Sequence, residues 1–128
     1  AVEEFLRFES SNQLGNRRAA EDVEIGGKQI KKGDKVVMWY VSGNRDTEVF
    51  EKSDHINIER SNVRNHLSFG FGIHRCLGMR LGELQLKILF EEILERYDRV
   101  EITDQPQRVL SNFINGYSKM PVILHEKR

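Results

Sequence analysis

Residues 69–78 decide the fold and read Phe69-Gly70-Phe71-Gly72-Ile73-His74-Arg75-Cys76-Leu77-Gly78. The only cysteine of the chain lies in this glycine-rich loop, directly before an apolar pattern with helical spacing. Backbone N–H groups and the helix dipole favour a thiolate at the N-terminus of a helix. The stretch therefore predicts a loop that holds Cys76 as a thiolate suited to bind iron.

The alternative role for Cys76 is that of a small buried apolar side chain at a helix start. The glycines of the loop favour the ligand role. Gly70 and Gly72 permit backbone angles and a close approach that side chains would forbid, and a flat ligand needs such clearance. Gly78, in the first helical turn, lets the thiolate and its backbone donors come close. A zinc cluster is not favoured, because there is one Cys and only four His in the chain.

The other side chains of the loop supply complementary chemistry. Phe69 and Phe71 offer apolar walls, while His74 and Arg75 offer hydrogen-bond donors for anionic groups. The loop is thus suited to a flat ligand that has apolar surface and carries anionic groups.

Composition sets the outer limits. The chain has 128 residues, with 20 Lys plus Arg balancing 20 Asp plus Glu, so nothing indicates nucleic-acid binding. No apolar run approaches the ~20 residues of a membrane span. One cysteine excludes an internal disulfide and is typical of a reducing cytoplasm. Helical spacing begins at once in residues 1–9, without a capping residue, which predicts a partial domain whose upstream part is missing.

Periodicity predicts a set of elements around the loop. They are a short helix over 1–9, a hairpin over 23–30 with a Gly-Gly turn, a strand over 36–41 buried on both faces, an irregular stretch over 42–68, a long amphipathic helix over 77–97, and strands at 109–110 and 122–124.

The pattern Phe-Gly-x-Gly-x-His-x-Cys-x-Gly resembles the haem-binding signature of the cytochrome P450 monooxygenases at every fixed position. The resemblance implies that Cys76 binds the iron of haem b as a thiolate, whose electron donation favours O–O cleavage. It implies that His74 donates to a haem propionate. The remaining haem-contacting positions that it implies are Phe69, Gly70, Gly72 and Gly78.

Two further resemblances lie upstream of the loop. Glu4 and Arg7 resemble the Glu-x-x-Arg element of that family, and Arg60 resembles the third member of its Glu-Arg-Arg network. This network is expected to order the irregular stretch rather than to transfer protons. Arg17 is similar in position to a second propionate-binding arginine, although Arg18 or an ordinary solvated arginine remains an alternative.

The resemblance covers the whole chain and implies the fold. It is mainly α with small β-sheets: the C-terminal portion of the cytochrome P450 fold, with residues 1–128 as a single partial domain. Segments 38–46, 66–70, 111–117 and 120–122 resemble the soluble bacterial branch, and most closely its alkane and fatty-acid terminal hydroxylases. The implied reaction inserts one atom of O2 into a C–H bond of an apolar substrate, in a cytoplasmic bacterial protein.

The same resemblance suggests a substrate pocket that includes Leu14, Phe113 and Ile114, with ordinary core packing as the alternative. It also implies electron delivery by a ferredoxin that is reduced by a ferredoxin reductase. A basic docking face for an acidic ferredoxin would include Arg64, Arg75, Arg80 and Lys87, with a merely solvated polar surface as the alternative.

Two rival functions stay open. One is a haem-thiolate peroxygenase or reductase on the same scaffold, and the other is a non-enzymatic binding module in which Cys76 merely packs. The oxygen-activating helix of the family would lie before residue 1. The isolated chain is therefore expected to bind haem weakly and to catalyse nothing.

Overall fold

The computed structural model describes residues 1–127. Its elements, in chain order, are α1 (Val2–Glu9), β1 (Leu14–Arg18), β2 (Val23–Ile25), β3 (Lys28–Ile30), β4 (Lys35–Trp39), α2 (Tyr40–Gly43), α3 (Met79–Arg96), β5 (Tyr97–Ile102), β6 (Gln107–Arg108), β7 (Tyr117–Lys119) and β8 (Val122–Glu126). The strands form four antiparallel two-stranded sheets, β1–β4, β2–β3, β5–β8 and β6–β7. The predicted combination of helices with small sheets is confirmed.

Helix α1 confirms the predicted helix over 1–9. Glu3 and Glu4 lie in its first turn and Arg7 in its last, so the charges complement the helix dipole. Ser10 ends the helix in a left-handed conformation with φ of 46°, and its N–H donates to the Leu6 carbonyl. The chain leaves α1 at a fixed angle as a result.

The predicted hairpin over 23–30 is confirmed as β2–β3. Gly26 and Gly27 both have positive φ, of 55° and 74°, as a tight hairpin turn of the favoured twist requires.

The predicted strand over 36–41 is wrong in two respects. Strand β4 ends at Trp39, and α2 begins at the next residue. Val37 and Trp39 are exposed, while Val36 and Met38 are half-buried. A two-stranded sheet with one covered face exposes alternate side chains.

Helix α3 begins at Met79, two residues later than predicted, and ends at Arg96. Phe90 of α3 packs against α1, where its ring centroid lies 5.4 Å from that of Phe5. The exposed apolar stripe of α3, as we call Leu81, Leu84 and Ile88, continues from the exposed Leu77 just before the helix. The chain continues directly into β5, which was not predicted. The strand at 122–124 is confirmed within β8, but the one at 109–110 is wrong, since the strand there is Gln107–Arg108.

The buried interior of the described residues is mostly polar. Phe50, at 1% exposure, is the buried apolar side chain. The predicted irregular stretch 42–68 begins with the end of α2, contains a short 3-10 helix over Val63–Asn65 and is otherwise irregular. Around it and the end of α1 lie buried polar side chains: Glu4, Arg7, Ser10, Asn44, Ser53, Arg60, His66 and Ser68. Among residues 1–127, no helix has the length and apolar content that crossing a bilayer requires.

Candidate functional site

A cavity of about 750 Å³ lies between β1, α3 and the Cys loop, as we call residues 69–78. Seven residues predicted for the site line it: Leu14, Arg17, Phe69, Gly70, His74, Cys76 and Phe113. Gly72, Gly78 and Ile114 do not line it. Ile114 instead bridges to Asn12 and is half-exposed. Residues that are far apart in sequence thus meet in one space beside the cysteine.

Backbone hydrogen bonds close the Cys loop. The Cys76 N–H donates to the Phe69 carbonyl at 2.8 Å, and a short 3-10 turn over Gly72–His74 fills the bend between them. Gly70 and Gly72 have φ of 72° and 68°, a region that L side chains rarely adopt. The two glycines are therefore required by the path of the backbone.

The space around the cysteine is open. Cys76 is exposed, and a Cβ at Gly72 would meet no atom within 4 Å. A Cβ at Gly78 would lie 3.8 Å from Sγ of Cys76, which is an ordinary contact. Within this chain, crowding against the sulfur thus gives no reason for glycine at position 78. Ile73 and Leu77, on the same loop, have almost fully exposed apolar side chains.

Arg17 and His74 line the cavity together with Cys76. Arg17 is half-buried and its Nη1 donates to the Asn16 carbonyl at 2.8 Å. Arg18 is exposed and donates to the Gly33 carbonyl instead. Of the two arginines left open by the sequence, the structure places Arg17 in the cavity wall.

The residues present fit a haem. Cys76 supplies one soft sulfur donor, the kind of ligand that haem iron accepts from protein. Arg17 and His74 offer donors for carboxylate groups, and apolar side chains cover the walls between them. Within residues 1–127, no three His, Cys, Asp or Glu side chains come together in a way that could hold a metal ion by themselves.

The predicted Glu4–Arg7–Arg60 network is assembled and buried. Arg7 donates to both Glu4 carboxylate oxygens, at 2.8 and 2.7 Å, and Nε of Arg60 lies 3.2 Å from Oε2. The Asn57 N–H donates to Oε1 at 2.9 Å. Burial alone would raise the pKa of Glu4, but the hydrogen bonds from Arg7, Asn57 and Arg60 and the charge of Arg7 outweigh it and lower the pKa to about 2.

The guanidiniums of this network also hold the irregular stretch. Arg7 Nη1 donates to the carbonyls of Asn44 and Ser53 at 2.7 and 2.8 Å, and Arg60 Nη1 donates to that of Glu51 at 2.8 Å. None of the three network residues lines the cavity. Their contacts suit a scaffold for the long loop.

The structure brings three of the four predicted docking residues to one groove. Arg64, Arg80 and Lys87 line a groove between α1 and α3, whereas Arg75 lies outside it. Each of the three faces a carboxylate: Arg64–Glu3 at 3.4 Å, Arg80–Glu83 at 4.0 Å and Lys87–Glu91 at 3.7 Å. The groove is thus of mixed charge, which weakens a purely basic attraction.

Sequence reasoning missed two residues near the site. Tyr40 lines the cavity, and its ring lies so close to Gly15 that a Cβ there would be 2.8 Å from Cζ. Asn44 is fully buried beside the start of the Cys loop. The apolar run before Tyr40 is a signal for a ring that packs against the chain, but no local pattern marks Asn44.

Comparison with known proteins decides the family. A family model described as Cytochrome P450 matches residues 1–121. The chain belongs to the cytochrome P450 family. Linalool 8-monooxygenase of Pseudomonas putida is 45% identical over 127 residues, which are 99% of this chain and 31% of that protein. The methyl-branched lipid omega-hydroxylase of Mycobacterium bovis is 37% identical over 123 residues, 95% of this chain and 28% of that protein.

Solved structures of cytochromes P450 agree with the fold. Cytochrome P450-153 from Novosphingobium aromaticivorans superposes with a TM-score of 0.90 at 46% identity, covering 98% of this chain and 31% of that one. The fold is the C-terminal portion of the cytochrome P450 fold. The chain spans about three tenths of the length of the P450 relatives it matches.

Proposed function

We propose that this chain is the haem-binding part of a longer bacterial, cytoplasmic P450 monooxygenase. The observation that carries the proposal is the single cavity in which Cys76, His74 and Arg17 meet. The proposal also agrees with the exposed apolar stripe of α3, since such a surface suits a chain that packs against further protein. The isolated chain should accordingly retain haem poorly and hydroxylate nothing.

Each residue has a distinct part in this proposal. Cys76 holds the haem iron as a thiolate, while His74 and Arg17 donate to the propionates and fix the orientation of the ring. Phe69, with Gly70, Gly72 and Gly78, shapes the loop. When bound, haem supplies the cleavage of O2 and the insertion of one oxygen atom into a C–H bond, with two electrons and two protons releasing the other as water.

The substrate we propose is an alkane or a fatty acid hydroxylated at its terminal carbon. Leu14 and Phe113 give the cavity an apolar wall beside the cysteine, as a hydrocarbon chain requires. The omega-hydroxylase among the relatives acts on a methyl-branched lipid, which is chemistry of the same class. Ile114 does not line the cavity and is not part of the pocket that we propose.

A terpene alcohol is the second candidate, because the linalool 8-monooxygenase is 45% identical. Product analysis with the full-length protein separates the two. Medium-chain alkanes, fatty acids and linalool are each supplied with reduced ferredoxin, and the position of the new hydroxyl group is determined. Oxidation of linalool alone would replace the hydrocarbon proposal.

Electrons reach the proposed enzyme from a ferredoxin and its ferredoxin reductase. Arg75, exposed on the Cys loop, and the three basic residues of the α1–α3 groove are the proposed contacts. Turnover with peroxide, and none with reduced ferredoxin, would instead indicate a peroxygenase on the same scaffold.

Replacement of Cys76 by Ser tests the proposal directly. In the full-length protein, Cys76→Ser should abolish the thiolate-type absorption of the reduced CO complex. His74→Ala is the matched control, because it removes a donor from the same cavity but leaves the sulfur. It should weaken haem retention and keep the thiolate-type band. An unchanged CO-complex spectrum in Cys76→Ser would refute Cys76 as the iron ligand. If neither the wild type nor any variant gave a haem absorption spectrum, a binding module would be favoured.

A further inference from the structure

Asn44 is fully buried where three segments meet: the end of α1, the end of α2 and the residues just before the Cys loop. Its Nδ2 donates to Oγ of Ser10 and to Oγ of Ser68, both at 2.9 Å. Its Oδ1 accepts the Leu67 N–H at 2.6 Å, and its backbone carbonyl accepts Arg7 Nη1 at 2.7 Å. One side chain therefore joins the carboxylate–guanidinium network to the approach of the cysteine.

The two serine hydroxyls beside Asn44 donate to backbone carbonyls and accept from Asn44. The Ser10 hydroxyl donates to the Arg7 carbonyl at 2.8 Å, and the Ser68 hydroxyl donates to the Leu6 carbonyl at 2.7 Å. Both hydroxyl protons are thus committed to carbonyls in the last turn of α1. The two serine oxygens can only accept from Asn44, so this position requires a group that both donates twice and accepts once.

A short path leads from Asn44 to the cysteine. Leu67 and Ser68 are held by the Asn44 amide, and the Ser68 N–H is also held by Nδ1 of His66 at 3.2 Å. Phe69 comes next, and its carbonyl accepts the Cys76 N–H. Whatever moves Ser68 therefore moves the hydrogen bond that closes the loop on the sulfur.

We propose that Asn44 is a positioning residue for Cys76. Its amide fixes the first residues of the Cys loop against α1, and the Phe69 carbonyl transmits that position to the cysteine. This inference rests on the proposed ligation of haem iron by Cys76. It adds a residue outside the cavity whose hydrogen bonds determine how the sulfur meets the iron.

The test compares variants in the full-length haem protein. Asn44→Asp keeps the shape but removes both donated hydrogen bonds, and Ser68→Ala removes one link of the path. Ser53→Ala is the matched control: Ser53 is also a buried serine, its hydroxyl donates to the Arg45 carbonyl at 2.6 Å, and it does not contact the Cys loop. For each variant, the reduced CO complex gives the ratio of thiolate-ligated haem to haem that has lost the thiolate bond, and denaturant unfolding gives the stability.

Asn44→Asp and Ser68→Ala should raise the fraction without the thiolate bond roughly 5- to 30-fold and shift the reduction potential. Ser53→Ala should lower the free energy of unfolding to a comparable extent. It should leave the ratio of thiolate-ligated haem to haem without the thiolate bond at the wild-type value. Equal ratios in all three variants would overturn the role of Asn44. If Asn44→Asp fails to fold, Ser68→Ala against Ser53→Ala decides. A wild-type protein without a thiolate-type band would overturn the proposed function together with this inference, whereas a normal wild type with unaffected variants overturns the inference alone.

Discussion

Replacing Glu4 with Gln removes a buried negative charge that lies between two buried guanidiniums. Glu4 is 1% exposed, and Arg7 and Arg60 are buried with it. The fall in the Glu4 pKa from 4.5 to about 2, at about 1.4 kcal/mol per pH unit, corresponds to about 3 kcal/mol. Breaking a buried pair costs about 3–5 kcal/mol because the remaining charge loses its partner. We expect Glu4→Gln to lower the free energy of unfolding by about 3 kcal/mol at pH 7.

Chemical denaturation of the full-length protein between pH 7 and pH 2 measures this loss. The folded-state pKa of Glu4 is depressed, so its stabilisation is complete above pH 4.5 and is lost as the pH falls toward 2. The difference in the free energy of unfolding between wild type and Glu4→Gln should be constant above about pH 5. It should shrink toward zero as the pH falls below that value. Glu9→Gln, an exposed change on the same helix, should cost less than about 0.5 kcal/mol. A loss under about 1 kcal/mol at pH 7, or one that persists at pH 2, would refute the reasoning.

Three further changes test the cavity and its surroundings. Gly15→Ala should lower the free energy of unfolding by about 1–3 kcal/mol, because its Cβ would lie 2.8 Å from Cζ of Tyr40. Gly43→Ala should lower it less, since the new Cβ would meet only the flexible end of the Leu67 side chain. Arg17→Gln should speed haem loss to an acceptor protein about tenfold or more through the lost charge-assisted hydrogen bond, and an unchanged rate would remove Arg17 from the site. Arg80→Glu should slow reduction by ferredoxin at low salt, with the effect fading as salt rises, and a salt-independent effect would argue against docking there.

Local signals in the sequence were sufficient for part of the fold. The Gly-Gly turn predicted the β2–β3 hairpin, and helical spacing predicted α1 and α3, because these elements depend on neighbours along the chain. Strand β5 was missed because it is a half-charged run, Tyr97-Asp98-Arg99-Val100-Glu101-Ile102. It pairs with β8, whose residues lie 20 to 29 positions further along the chain. Its conformation depends on that distant partner, which periodicity does not show.

The candidate site divides in the same way. The glycines and the cysteine of residues 69–78 could be assigned from their own order, whereas Glu4 and Arg60, 56 residues apart, could be paired only by resemblance to a known network. Asn44 could not be predicted from any single segment of the sequence. Its value depends on two serines and one backbone N–H from other segments, and no window of sequence contains them all.

The polar interior of this chain has a physical consequence for the cysteine. Apolar burial is non-directional, so a loop packed only by apolar side chains can slide with little loss of contact. Hydrogen bonds lose strength steeply when distance or angle changes. Functional groups need placement to about 0.5 Å. The chain of hydrogen bonds that leads to the Cys loop begins at Glu4 and Arg7 and passes through Asn44. The buried polar side chains therefore hold the chain together and, in our proposal, also fix where its sulfur lies.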